Sequence, residues 1–280
     1  MSNYSVENNK IIVHNLDDFD IEHILECGQV FRYVKLPTGY KVFTKNLTCI
    51  LIYDKDSVII NSSDSEYFIR YFDLDRDYSL IKKELLRFPN MSNSITHGAG
   101  IRILNQDACE TIFSFIISAN NNIPRIRLTI ERMCMRLGKN MGDWYAFPEV
   151  DDLVEAGVQF FREIGAGYRS EYLSGAARLL KDGFFLDISD MSTKDAHRHL
   201  LKLPGVGPKV ADCILLFAYH RTDSFPTDVW IERVYHDMFP DKKATVTAMS
   251  DYLCETYGNL SGYAQQYLFY QKRMQTLNRH

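Results

Sequence analysis

Two residues of this chain have the type and placement for chemistry on an electrophilic carbon: Lys209, in LPGVGPKVADC (Leu203 to Cys213), and Asp228, in FPTDVW (Phe225 to Trp230). Pro204, Gly205 and Gly207 make a tight turn with little side chain to hold a ligand off the backbone. Pro208 suits the first position of a helix, where its missing N–H costs nothing. Val210, Ile214, Phe217 and Ala218 continue at core spacing, with Lys209 and Cys213 one turn apart on a neighbouring stripe. Thr193 to Leu201 also reads as a helix, so the unit is helix, hairpin, helix. Free N–H groups at the opening of its second helix suit a phosphate.

A lysine is unusual in the first turn of a helix, where acidic residues are favoured. Burial and the helix dipole both favour loss of its proton, and a neutral amine is a nucleophile. The alternative is an ammonium that reaches a phosphate from an exposed hairpin. Asp228 precedes Trp230, Ile231, Val234, Tyr235 and Met238, an amphipathic run, and is a natural N-cap. Backbone N–H groups bonded to a capping carboxylate favour its ionised form. Capping alone explains most such aspartates. Here the short connection from Tyr219 to Thr227 can fold the two helix starts together, so that an amine and a fixed anion face one cleft.

Those two motifs resemble the helix-hairpin-helix, Gly/Pro-rich-loop-plus-Asp (HhH-GPD) superfamily of DNA glycosylases. Further segments, in the same order along nearly the whole chain, narrow the resemblance to 8-oxoguanine DNA glycosylase/AP lyases. They are ECGQVFRY (Glu26 to Tyr33), SFIISANNNIPRI (Ser114 to Ile126), GYRSEYLSGAARLL (Gly167 to Leu180) and GYAQQYLFY (Gly262 to Tyr270). The resemblance implies an enzyme that excises 8-oxoguanine from double-stranded DNA, preferably opposite cytosine, through a lysine Schiff base, followed by β-elimination. Its catalytic residues are then Lys209 and Asp228.

An enzyme that acts on a base inside a duplex must extrude it, fill the gap and recognise the base in a pocket. The resemblance assigns Asn120 to the vacated stack, Arg125 and Arg169 to the orphaned cytosine, and Tyr168 to a wedge beside it. Gly205, Gly207 and Trp230 fall at DNA backbone contacts. In the pocket, the Gly28 carbonyl accepts the N7 hydrogen that only the lesion carries. Cys213 and Phe269 sandwich the base, Gln265 reads its pairing edge, and Phe217 lies beneath. Taken without the resemblance, Phe269 reads as core, Asn120 as a helix cap, Tyr168 as a turn-fixing core residue and the arginines as solvated surface charge. Two positions depart from the pattern: Trp230 stands where eukaryotic relatives carry a histidine, and Phe217 replaces a methionine. No cofactor or catalytic metal is implied, although hairpin carbonyls in this superfamily can hold a structural monovalent cation.

The elements that must position these residues read as an α+β protein, with an N-terminal antiparallel sheet domain over 1–78 and an all-helical HhH-GPD domain over 79–280. Strands are predicted at Ile11–His14, Val30–Val34, Tyr40–Thr44, Thr48–Tyr53 and Ser57–Asn61, with a short helix over Asp20–Glu26. From Leu80 the period is helical, through Ile112–Ile117 and Ile126–Leu137, then near 151–157, 169–181, 193–201, 208–219, 229–239, 244–256 and 262–275.

At 280 residues and 46% hydrophobic, the chain can bury a sizeable core. No apolar run approaches membrane-spanning length, and MSNYSVENNK has no signal-peptide core, so an intracellular monomer is expected, in the cytoplasm or nucleoid if bacterial. Cys27, Cys49, Cys109, Cys134, Cys213 and Cys254 are scattered without a CxxC, which argues against zinc, a disulfide framework and the iron–sulfur branch of the superfamily. Net charge is −4, mildly unfavourable for DNA. Basic residues nonetheless gather near the hairpin (Lys194, Arg198, Lys202, Lys209, Arg221) and in Arg125, Arg127, Arg132, Arg136 and Lys139, which suits a small DNA footprint. Two rivals remain: an alkylpurine glycosylase, and a non-catalytic DNA-binding module that uses the hairpin only for phosphate.

Overall fold

A computed structural model describes residues 4–184 and 186–277. Six strands, β1 (Tyr4–Glu7), β2 (Lys10–Val13), β3 (Tyr33–Leu36), β4 (Gly39–Thr44), β5 (Leu47–Asp54) and β6 (Ser57–Ser62), form one antiparallel sheet in the order β1-β2-β6-β5-β4-β3. Alternation sets the register: Ile11 pairs with Ile60, Ile60 with Leu51 and Leu51 with Tyr40, a row of buried side chains on one face. That face packs with α1 (Ile21–Glu26) and α2 (Ser65–Tyr71) into a core that includes Phe19, Ile24, Phe68 and Phe72.

The helical part comprises α3 (Tyr78–Leu85), α4 (Ser92–His97), α5 (Ala108–Ser118), α6 (Ile123–Leu137), α7 (Val150–Glu163) and α8 (Arg169–Lys181). It continues with α9 (Thr193–Leu200), α10 (Pro208–Ala218), α11 (Val229–Met238), α12 (Val246–Tyr257) and α13 (Ser261–Leu277). Its core is built around α5 and α10, whose inner residues are buried on nearly every side.

The two cores are stitched together by polar groups that have no water to turn to. Arg102 is 2% exposed; it donates to the carbonyls of Phe72, Asp18, Asp73 and Arg76, and its guanidinium lies 4.0 Å from the Tyr78 ring centroid. Arg32 and Glu110 form a buried pair at 3.3 Å. Arg32 also donates to the Tyr145 carbonyl, and Glu110 accepts from the Lys45 N–H at 2.7 Å.

Several elements differ from the sequence expectation. Val30, Phe31 and Arg32 lie outside β3, because Phe31 packs edge-on against Phe115 of α5 and Arg32 reaches Glu110. The polar start holds β1, and the short helices α2 and α4 were not expected. The helix predicted near 151–157 runs on to Glu163 past a break at Gly157, whose φ of +66° interrupts the helical backbone. Among the described residues, no helix is long and apolar enough to cross a membrane.

Candidate active site and DNA-facing loops

Gly207 is the N-cap of α10 and brings no side chain to its first turn, leaving that helix start open on an exposed hairpin. Gly205 is needed for a different reason: its φ is +80°, and a Cβ there would lie 2.7 Å from Tyr172 Cβ. A Cβ on Gly207 would meet nothing within 4 Å. One glycine serves the packing of the hairpin and the other leaves its surface bare.

The α10 start carries Lys209 inward. Its ammonium lies 5.1 Å from the Phe115 ring centroid and bonds to the Cys213 thiol. Asp228, at the N-cap of α11, accepts from the N–H groups of Trp230 at 3.0 Å and Ile231 at 3.1 Å. Burial raises the Asp228 carboxyl above the usual carboxylate value, outweighing the opposing pull of Lys209 and the two N–H groups. The two capping N–H groups favour the ionised form, as expected, but burial is the larger influence. Burial likewise pushes the Cys213 thiol up to about 11, so it is a neutral wall of the site.

These groups line a cavity of about 40 Å³ together with Gly28, Phe217, Gln265 and Phe269. The Gly28 turn has φ +81° and is held by its neighbour. Gln29 is fully buried, donates to the carbonyls of Ile24 and Arg102, and accepts from the Leu104 N–H. A Cβ on Gly28 would lie 3.1 Å from Phe269 Cε1, so the ring rests on the bare backbone. Gln265 donates to the Pro226 carbonyl at 3.1 Å. Phe217 stacks on Phe115 at 5.5 Å, behind the ring that lies under Lys209.

Sequence reasoning missed Cys27, Phe115, Pro226 and Gln266, which line the same cavity. Each sits inside one of the motifs singled out above, but buried apolar residues and a second glutamine carry no chemical signal of their own.

The residues expected to face DNA lie elsewhere, on the α5–α6 connection and at the start of α8. Asn121 and Asn122 are bound to backbone, the latter as the N-cap of α6. Asn120 is exposed and takes a left-handed conformation, φ +50°. Arg125 is exposed one turn into α6, and Tyr168 is 57% exposed. Arg169 differs from its surface reading: it is 6% exposed and donates to the carbonyls of Ala119, Ala166 and Asn120. It braces the loop that presents Asn120. Trp230 is half-buried and lies under the Arg233 guanidinium, 4.7 Å from its ring centroid.

Residues 11–112 match the 8-oxoguanine DNA glycosylase N-terminal domain, and residues 113–258 match the HhH-GPD superfamily base excision DNA repair protein family. The chain superposes, with a TM-score of 0.92 and 36% identity over 98% of both chains, on a Clostridium acetobutylicum 8-oxoguanine glycosylase/lyase crystallised with double-stranded DNA containing cytosine opposite 8-oxoguanine. It is 31% identical over 268 residues to the N-glycosylase/DNA lyase of Saccharomyces cerevisiae, covering 79% of this chain and 68% of that one. The same identity over 223 residues, 71% of this chain and 70% of the other, relates it to a Methanothermobacter thermautotrophicus protein named "Probable N-glycosylase/DNA lyase". The chain belongs to the HhH-GPD superfamily of base excision DNA repair proteins, in its 8-oxoguanine DNA glycosylase/lyase family.

Proposed function

We propose that the protein extrudes 8-oxoguanine from duplex DNA, releases the base through a Schiff base on Lys209, and cleaves the strand by β-elimination. The observation that carries this reading is the meeting of Gly28, Lys209, Cys213, Asp228, Gln265 and Phe269, from well-separated segments, around one cavity.

Base excision begins as the bond from N9 to C1′ lengthens, its electrons passing to the base, which takes up the proton that the Lys209 ammonium gives up. Asp228 stabilises the positive charge that develops on the sugar. The Lys209 amine so freed supplies its lone pair to C1′, and transfer of a proton from that nitrogen to O4′, with opening of the deoxyribose ring, leaves the protonated imine. That imine acidifies C2′; removal of a C2′ proton expels the 3′ phosphate. No step needs a metal or an organic cofactor. The cavity of about 40 Å³ has room for about one water, so the Phe269 ring must swing off Gly28 for a base to enter. The Gly28 carbonyl, to which no described residue donates, then accepts the lesion's N7 hydrogen. Normal guanine turns a lone pair towards it.

The orphaned base is met by Asn120 and Arg125, exposed side chains with donors to spare, and by Tyr168. Their chemistry favours cytosine, whose edge offers acceptors to an arginine. Arg169 contributes chiefly by holding that loop.

Borohydride trapping tests both parts. Wild type is expected to form a covalent adduct with duplexes carrying 8-oxoguanine, faster opposite cytosine than opposite adenine. Lys209→Gln is expected to bind the lesion duplex and give neither adduct nor base release. Full strand cleavage by the purified variant would overturn the Lys209 assignment, and equal single-turnover rates opposite cytosine and adenine would overturn the opposite-base reading.

A further inference from the structure

We infer that Gln266 is a specificity-determining residue of the same cavity, and that its side-chain oxygen accepts a hydrogen bond from the exocyclic 2-amino group of the extruded base. This rests on the base-excision reading of the cavity and extends it to a residue that carries none of the roles assigned above.

Adjacent residues of a helix point about 100° apart, so two neighbouring glutamines ordinarily serve different surroundings. In α13 both line the cavity, and both are buried, Gln265 at 4% and Gln266 at 2% exposure. The helix is enclosed here, with Tyr263, Ala264, Tyr267 and Leu268 also buried, so Gln266 has no solvent face to turn to.

The amides form a directed chain. The Pro226 carbonyl can only accept, so it fixes Gln265 with Nε2 towards it, at 3.1 Å. Gln265 Oε1 therefore faces the other way and accepts from Gln266 Nε2 at 3.0 Å. That bond fixes Gln266 in turn and leaves its Oε1 buried with no hydrogen-bond partner. Turning the Gln266 amide over would set two acceptors against each other. Turning both would set Gln265 Oε1 against the Pro226 carbonyl. The orphaned oxygen is thus imposed by backbone, and a buried acceptor without a partner in a cavity lining points to a donor on the ligand.

The pairing edge of a guanine-type base offers, in order, an acceptor (O6), a donor (N1–H) and a donor (the 2-amino group). After its two protein bonds, Gln265 retains one N–H and one lone pair, enough for O6 and N1–H. Gln266 Oε1 is the third group that such an edge needs. A base lacking the 2-amino group leaves it unpaired; an adenine-type edge reverses the first two partners.

The test compares single-turnover excision of 8-oxoguanine and 8-oxohypoxanthine, which differ only in the 2-amino group, by wild type and Gln266→Met. Wild type is expected to favour 8-oxoguanine by roughly ten- to hundredfold, the rate equivalent of one buried hydrogen bond. The variant loosens Gln265 and slows both bases, but brings their ratio close to unity. Any difference in bond lability between the bases cancels in the ratio of ratios. Trapping on an abasic duplex, which needs no base pocket, reports that the variant is folded. A ratio unchanged between the two proteins overturns the inference while leaving 8-oxoguanine excision intact, whereas failure of wild type to release 8-oxoguanine removes the underlying reading. Should Gln266→Met not fold, the wild-type ratio corrected for non-enzymatic release decides alone: equal rates overturn the inference.

Discussion

The two hairpin glycines, indistinguishable as residues, should fail in opposite ways when each is replaced by alanine. At Gly205 the backbone has φ +80°, and a Cβ would stand 2.7 Å from Tyr172 Cβ, 3.0 Å from Tyr172 Cγ and 3.1 Å from Ile116 Cγ2. The left-handed conformation costs an alanine about 1–2 kcal/mol, and forcing a methyl into packed side chains costs about 1–3 kcal/mol more. Gly205→Ala should therefore lose roughly 2–5 kcal/mol of stability. Gly207 has φ −89° and open space around it. There, the reduced freedom of the unfolded chain, about 0.4–1 kcal/mol, offsets the slightly poorer capping of alanine, so stability should stay within about 1 kcal/mol of wild type. The added methyl instead stands where a phosphate would approach the start of α10. Urea unfolding and anisotropy on a lesion duplex across about 50–200 mM salt separate these effects. Gly205→Ala should unfold at lower urea. Gly207→Ala should keep its midpoint, bind more weakly and show a shallower salt dependence. The assignment of packing to one glycine and phosphate approach to the other fails if Gly205→Ala unfolds with wild type, or if Gly207→Ala binds DNA with unchanged affinity and slope.

Two further outcomes follow from buried charge. Burial and Asp251 raise the Asp212 carboxyl to about 8, against the pull of Lys209, and His197 Nε2 lies 3.4 Å from its Oδ1. The fold then holds a proton that the unfolded chain releases near 3.8, so stability falls as pH rises between those values, by at most about 1.4 kcal/mol per pH unit, and levels off above the higher one. Asp212→Asn should remove this slope in urea midpoints measured from pH 5 to 8, and parallel slopes would refute it. At the Arg32–Glu110 pair, with both side chains 9% exposed, Glu110→Ala should cost about 3–5 kcal/mol by leaving the guanidinium buried alone. The double replacement Arg32→Met with Glu110→Leu should recover most of that loss, and equal losses would show that the pair is not effectively buried.

The parts of the fold that were legible in the sequence are those where one physical cause dominates. Alternation located β2, β4, β5 and β6 to within a residue or two, and proline and aspartate caps located α10 and α11. The misplaced elements answer to contacts far along the chain. Phe31 and Arg32 have strand character, yet they leave the sheet for partners in α5. The α2 segment is too short for a clear helical period and is fixed by Phe68 and Tyr71 on the sheet. Within the site, residue type and spacing alone single out Lys209 and Asp228, because a cation in a first helical turn is locally unusual and a capping aspartate follows it closely along the chain. The electrostatic balance was not legible: how far Asp228 is buried depends on walls supplied from α5, α10 and α13.

On the base-excision reading proposed above, that balance gives the pair its chemical direction. In the resting site, the ammonium of Lys209 offsets part of what burial costs the Asp228 carboxylate, together with the N–H groups of Trp230 and Ile231. When Lys209 acts as the nucleophile, the carboxylate loses its cationic partner while keeping the two backbone donors. A buried anion left so exposed to its own desolvation is a strong partner for any cation that replaces the ammonium, and the sugar becomes such a cation as the glycosidic bond breaks. The attraction therefore grows between the bound ground state and the transition state, the condition under which binding energy accelerates a reaction. On this reading, burial, which looks at first like a handicap for such an aspartate, is what confines its stabilising effect to the moment of bond cleavage.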